Sequence, residues 1–99
     1  MIDGYLLNMR VFNKVNDDKH QALKPLEEAA EVFGAWQARY NMRFASRGAC
    51  EAFRRDLIDE CMDTVQAAAN MLAAIGATQG EVDAAIKRMD ERNGDRGRL

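Results

Sequence analysis

Ninety-nine residues, 47% of them hydrophobic, make one small domain whose core is thin for standing alone, so the core is expected to be completed by association of chains. A net charge of −2 gives no electrostatic reason to expect a nucleic-acid polymer as partner, no apolar run reaches the length of a membrane span, and no signal-peptide pattern opens the chain. Two cysteines, Cys50 and Cys61, and the lone His20 are too few for a disulfide framework or a histidine metal site, which reads as idle thiols in a reducing cytoplasm.

The chain has one proline and no linker, repeat or low-complexity segment. In residues 2–15, Ile2, Tyr5, Leu6, Met9 and Phe12 fit one helical stripe, but a strand fits so short a segment as well, and residues 1–16 stay ambiguous. Asp17 and Asp18 can cap the next element. Residues 19–44 are helical by period, with Leu26, Ala29, Phe33, Trp36 and Tyr40 on one side. Pro25 either sits in the first turn of that helix or kinks a longer one. Residues 43–48 read as a loop, with Gly48 its best breaker. Residues 49–75 carry the strongest helical pattern, through Leu57, Ile58, Cys61, Val65, Ala68, Leu72 and Ile75, and Gly76 supplies a stop. Thr78-Gln-Gly-Glu81 has the form of a capping box. It opens a last element carrying Val82, Ala85, Ile86 and Met89 and ending near Gly94, with 94–99 expected to fray. The class is all-α, and short connections favour an antiparallel helical bundle.

Two acidic pairs stand out, Glu28 with Glu31 and Glu60 with Asp63. Each is spaced i, i+3 on a predicted helix, so its carboxylates share a face. Solvated acids are the ordinary wet side of an amphipathic helix, and one such pair alone carries little. Here Asp56, Glu60 and Asp63 continue along one stripe into Ala67, Asn70 and Ala74, where the helix turns apolar nearly all round and is expected to be enclosed. Glu28 and Glu31 likewise continue into Ala35 and Ala38. Small residues allow close helix approach, and carboxylates brought so near repel unless a cation sits among them. Mg²⁺ suits such a set, because it takes oxygen ligands and keeps positions for water or substrate phosphates. Glu27 points about a quarter turn from the Glu28 stripe and is a ligand, a base or simply solvated; Asp56 and Asp59 are similar neighbours of the second pair.

Lys24-Pro-Leu-Glu-Glu-Ala-Ala-Glu31 and Asp59-Glu-Cys-Met-Asp63 together resemble the MazG-like all-α nucleotide pyrophosphohydrolases. That superfamily is marked by E-x-x-E on one helix and E-x-x-D on the next, matched here by Glu28, Glu31, Glu60 and Asp63. Lys24, Glu27 and Asn70 match further positions, and His20-Gln-Ala-Leu23 looks like the lead-in to the first motif. The stretch 87–97 looks like the basic tail of small prophage-type members. Residues before Asp17 have no counterpart. The resemblance implies a bundle that forms a homodimer or a pair of dimers, with Mg²⁺ or Mn²⁺ on the four acids and Glu27 beside them. It implies cytoplasmic hydrolysis of a nucleoside triphosphate, water attacking the α-phosphorus to leave the monophosphate and pyrophosphate.

Supporting residues have two readings each. Lys24 can neutralise substrate phosphate or pair with Glu28 at i+4. Asn70 can bind substrate or satisfy a neighbouring element, since a buried amide needs partners either way. Trp36 can stack on a base, although its stripe favours packing. Lys87 and Arg96 can grip phosphates, against the plainer view of a cationic helix end. Two other functions fit the pattern less well. A phosphoribosyl-ATP pyrophosphohydrolase shares the lysine and the acids, but the histidine expected after the second motif is missing from Gln66-Ala-Ala68. A non-catalytic helical dimer with a vestigial metal site would not need to retain all four acids, Lys24 and Asn70 together.

Overall fold

The computed structural model describes residues 2–99, which form three α-helices: α1 (Lys19–Asn41), α2 (Arg47–Ala74) and α3 (Gln79–Asp95). No strand occurs among the described residues, so the all-α class holds. Local chemistry explains each boundary. Asp18 caps α1, its Oδ1 accepting the Gln21 N–H at 2.8 Å. Pro25 lies inside α1, so the Gln21 carbonyl receives no helical N–H from it. Past α1, Arg43 turns back to donate from Nη1 to the Tyr40 carbonyl at 2.8 Å. Ser46 starts α2 by accepting the Ala49 N–H at 3.3 Å. Gly48 therefore belongs to the first turn of α2, not to the loop as its residue type suggested. Cys50 sets its Sγ 3.6 Å from the Met42 and Ala45 carbonyls and 3.7 Å from that of Arg43, a weak donor over the loop.

The break between α2 and α3 obeys the sequence signals closely. Gly76 adopts φ +72°, and the Gly76 and Ala77 N–H groups return to the Ala73 and Leu72 carbonyls, both at 3.0 Å. That pair of bonds is the Schellman closure, which needs a left-handed residue after the helix. Thr78 and Glu81 then form the expected capping box: Thr78 Oγ1 accepts the Glu81 N–H at 3.2 Å, and Glu81 Oε1 accepts the Thr78 N–H at 3.1 Å. α3 ends in a second such closure at Gly97 (φ +71°), with the Gly97 and Arg98 N–H groups returning to the Gly94 and Asn93 carbonyls.

α1 and α2 form an antiparallel hairpin, with α1 residues near its end facing the start of α2 and Glu28 facing Glu60 and Asp63. α3 packs against neither. Residues 2–16 take neither of the two forms the pattern allowed. They run as irregular chain beside α2, held where the Phe12 N–H donates to Asn70 Oδ1 at 3.0 Å and Gln66 Nε2 donates to the Arg10 carbonyl at 2.8 Å. Gln66 Nε2 also reaches Asn70 Oδ1 at 3.0 Å, which ties the three groups together.

Burial within one chain is slight. Ala67 and Asn70, 4% and 3% exposed, are the buried residues among those described, and no large side chain is fully buried. They lie on the continuation of the acidic stripe, so the stripe does run into the packed side of α2. Enclosure is one-sided, however, because Leu72 and Ile75 on the same helix stay exposed. The chain exposes 8229 Å², against about 5,700 Å² for a compact monomer of its mass. Its radius of gyration is 16.3 Å, where about 13 Å is usual at this length.

Candidate functional site

The hairpin brings the two acidic pairs together. Glu28 from α1 and Glu60 and Asp63 from α2 each place a carboxylate oxygen so that all three lie within 4.8 Å of one another. The i, i+3 spacing puts Glu60 and Asp63 on one face of α2, and the antiparallel register aligns that face with Glu28. Oxygens bound to one Mg²⁺ at about 2.1 Å sit about 3 to 4 Å apart. The three carboxylates therefore need only a small closure to share an ion.

Clustered acids on helices are common without a metal, so burial matters here. Glu28 and Glu60 are half-buried and Asp63 is exposed. Glu60 Oε2 is fully shielded from solvent and has no hydrogen-bond donor. A buried carboxylate oxygen with no donor is costly, and a cation is one way to satisfy it. Loss of solvent holds the Glu60 carboxyl above the usual carboxylate range, helped by a shared-proton contact with Glu31 and by the charges of Glu31, Asp63 and Glu28. Loss of solvent also raises Glu28, with the charge of Glu31 and a shared proton with it adding to the rise; the Lys24 ammonium opposes it. Both shifts have the sign that crowded carboxylates give one another.

Glu31 is outside the group of three but touches it through these contacts with Glu28 and Glu60. It lines a groove of about 460 Å³ that passes between Gly34, Ala35 and Ala38 on α1 and Phe53, Asp56 and Glu60 on α2. Ala35 and Ala38, expected to bring the helices close, instead border open space beside the acids. Asp56 and Asp59 border the same groove.

Lys24 takes both of its available partners, with Nζ 3.3 Å from Glu27 and 3.7 Å from Glu28. The hydrogen bond and charge of Glu27, then the charge of Glu28, hold its ammonium above the usual lysine range. Glu27 is exposed and engaged with Lys24, outside the group of three. Asn70 Oδ1 accepts from the Phe12 backbone and from Gln66, so its amide anchors the N-terminal segment. Lys87 lies on α3 and Arg96 caps it, and the structure brings neither to the acids within one chain. Gln66 is an anchoring residue that sequence reasoning misses; the one signal for it is an amide pair at i, i+4, Gln66 and Asn70, in an otherwise apolar stretch.

No family model, no curated protein and no solved structure matches this chain.

Proposed function

We propose that the protein is a Mg²⁺-dependent nucleoside triphosphate pyrophosphohydrolase of the MazG-like all-α type, acting as a homodimer or larger homo-oligomer. The observation that carries the reading is the convergence of Glu28, Glu60 and Asp63 within 4.8 Å around a buried, donorless Glu60 Oε2. Those three residues, with Glu31 alongside, would hold the ion. Bound there, Mg²⁺ supplies charge neutralisation to phosphate oxygens and lowers the barrier to attack by water. The groove beside the acids has the volume of a small-molecule site. Its lining includes Glu31, Asp56, Asp59 and Glu60, which would repel a triphosphate unless cations stood between them. Glu31, outside the group of three and lining the groove beside Glu60, is the carboxylate placed to accept a proton from an attacking water.

Association is supported by area. The excess over a compact monomer, about 2,500 Å² per chain and so about 5,000 Å² for a pair, reaches the upper end of the range buried by obligate dimers. The unpartnered apolar side of α3, with Val82, Ile86 and Met89 next to Leu72 and Ile75 of α2, is a surface for it. An approach of a second chain through α3 would also bring Lys87 and Arg96 toward that chain.

The test is pyrophosphate release from a panel of ribo- and deoxynucleoside triphosphates and phosphoribosyl-ATP, with and without Mg²⁺. Metal-dependent turnover that disappears in Asp63→Ala and Glu31→Ala, with helical content intact, supports the reading. Retained turnover in Asp63→Ala overturns the metal assignment, and silence across the panel from folded protein overturns the enzyme.

A further inference from the structure

At the loop end of the hairpin lies a cleft of a different character. It has a volume of about 360 Å³ and is lined by Trp36, Arg39, Tyr40, Arg43, Arg47 and Arg54, with Glu51 the one carboxylate. Tyr40 is nine residues on from Glu31, half a turn round α1, so this cleft opens away from the acidic groove. Four guanidiniums thus gather in a chain whose net charge is −2. Arg47 is partly spent on Glu51, with Nε 3.3 Å from its carboxylate. Among the described residues Arg39 and Arg54 are in no ion pair.

Beside the arginines runs an aromatic ladder. Trp36 and Tyr40 lie nearly parallel, 13° apart with centroids at 5.3 Å, and Phe33 continues the series at 6.1 Å from Trp36. The Arg43 guanidinium covers Tyr40 at 4.0 Å and Phe44 at 4.7 Å. Such centroid distances between near-parallel rings mean offset overlap, and Trp36 remains 46% exposed. Its ring lines the cleft.

We propose that this cleft is a binding site for a free nucleotide, its phosphate held by Arg39 and Arg54 and its base laid on Trp36. Guanidiniums match phosphate oxygens with paired donors, and aromatic faces stack on any base. A second copy of the chain fits poorly, because a twofold contact would set this arginine cluster against its own copy. A polynucleotide fits poorly too, since the strand beyond one nucleotide would leave the basic cleft for a net acidic surface. The site is separate from the acidic cluster and does not depend on the hydrolase reading.

Trp36 is the sole tryptophan, so its fluorescence reports on this cleft alone. Metal-free protein in chelator, at fixed concentration, would be titrated with adenosine monophosphate, adenosine, inorganic phosphate and a ten-residue oligothymidylate. The expected result is saturable quenching by the monophosphate, and displacement of it by inorganic phosphate, which does not quench. Binding should be tenfold or more weaker in Arg39→Gln/Arg54→Gln, partly restored in Arg39→Lys/Arg54→Lys, and unchanged in Glu60→Gln. Circular dichroism confirms that each variant is folded. Equal quenching by adenosine, no loss in the folded glutamine variant, no quenching at all, or oligothymidylate binding a hundredfold tighter would each overturn the proposal.

Discussion

Asn70 separates an anchoring role from a substrate-binding one, and the structure gives the size of the effect. Its Oδ1 accepts the Phe12 N–H and a Gln66 amide N–H, both at 3.0 Å, at a position 3% exposed. Asn70→Leu keeps the branched shape, removes the one oxygen that accepts both bonds and leaves Gln66 with the Arg10 carbonyl. Of the two bonds only the one from Phe12 ties the segment to the helix, and at about 1 kcal/mol for a neutral hydrogen bond its loss should ease release of the segment roughly fivefold. The extra apolar contact of leucine offsets a fraction of this. Asn70→Asp keeps an acceptor in place and should hold the segment. Hydrogen exchange at the Phe12 amide reads the opening directly, and chymotryptic cleavage after Tyr5 or Phe12 reads it independently. Exchange at Phe12 in Asn70→Leu no faster than in the parent would refute the anchoring argument.

Four further outcomes are expected. Glu60→Gln removes a charge from a crowded set, so its metal-free melting temperature at neutral pH should rise while Mg²⁺ protection weakens; a lower metal-free value contradicts the repulsion. Glu28 and Glu60 are held above the ordinary 4.5, so the stability they contribute is full below that value and lost as pH rises through their folded-state range. Calorimetry in chelator should therefore show melting fall as pH climbs above 4.5, with Mg²⁺ abolishing the fall; a flat chelator profile counts against the cluster. Thr78→Ala deletes the acceptor for the Glu81 N–H and should cost α3 about 1 kcal/mol, seen as lost helicity without change in the hairpin's exchange protection. Sedimentation should give at least twice the 11.1 kDa of the chain; a stable monomer at micromolar concentration contradicts the area argument.

Much of the helical frame was legible because its boundaries are set by short-range chemistry. Asp18, Gly76 and the Thr78–Glu81 box each act on neighbours within five residues, and the structure uses all three as the sequence suggests. Periodicity also put Glu28, Glu31, Glu60 and Asp63 on the right faces. What it could not supply was the pairing of those faces. Glu31 ends beside the group of three rather than in it, a matter of one side chain's reach across the hairpin. The N-terminal segment misled for the opposite reason. Its stripe fits a helix, yet its backbone is satisfied by Gln66 and Asn70, more than fifty residues away. The arginine cleft was invisible because its members come from two helices and the loop between them, and no single stretch looks basic.

The two clusters on the hairpin have a kinetic consequence. Arg54 is six residues from Glu60, about 9 Å along α2, and Arg39 eight from Glu31, about 12 Å along α1, both beyond the screening distance of about 8 Å at physiological salt. Each pole therefore keeps a local field of its own sign. Net charge alone says that anions are repelled and that added salt should speed their encounter with the protein. The local field at the loop end says the reverse: anions arrive preferentially at that pole, and salt should slow them. The sign of the ionic-strength dependence of the association rate thus reports which part of the surface an incoming anion meets first.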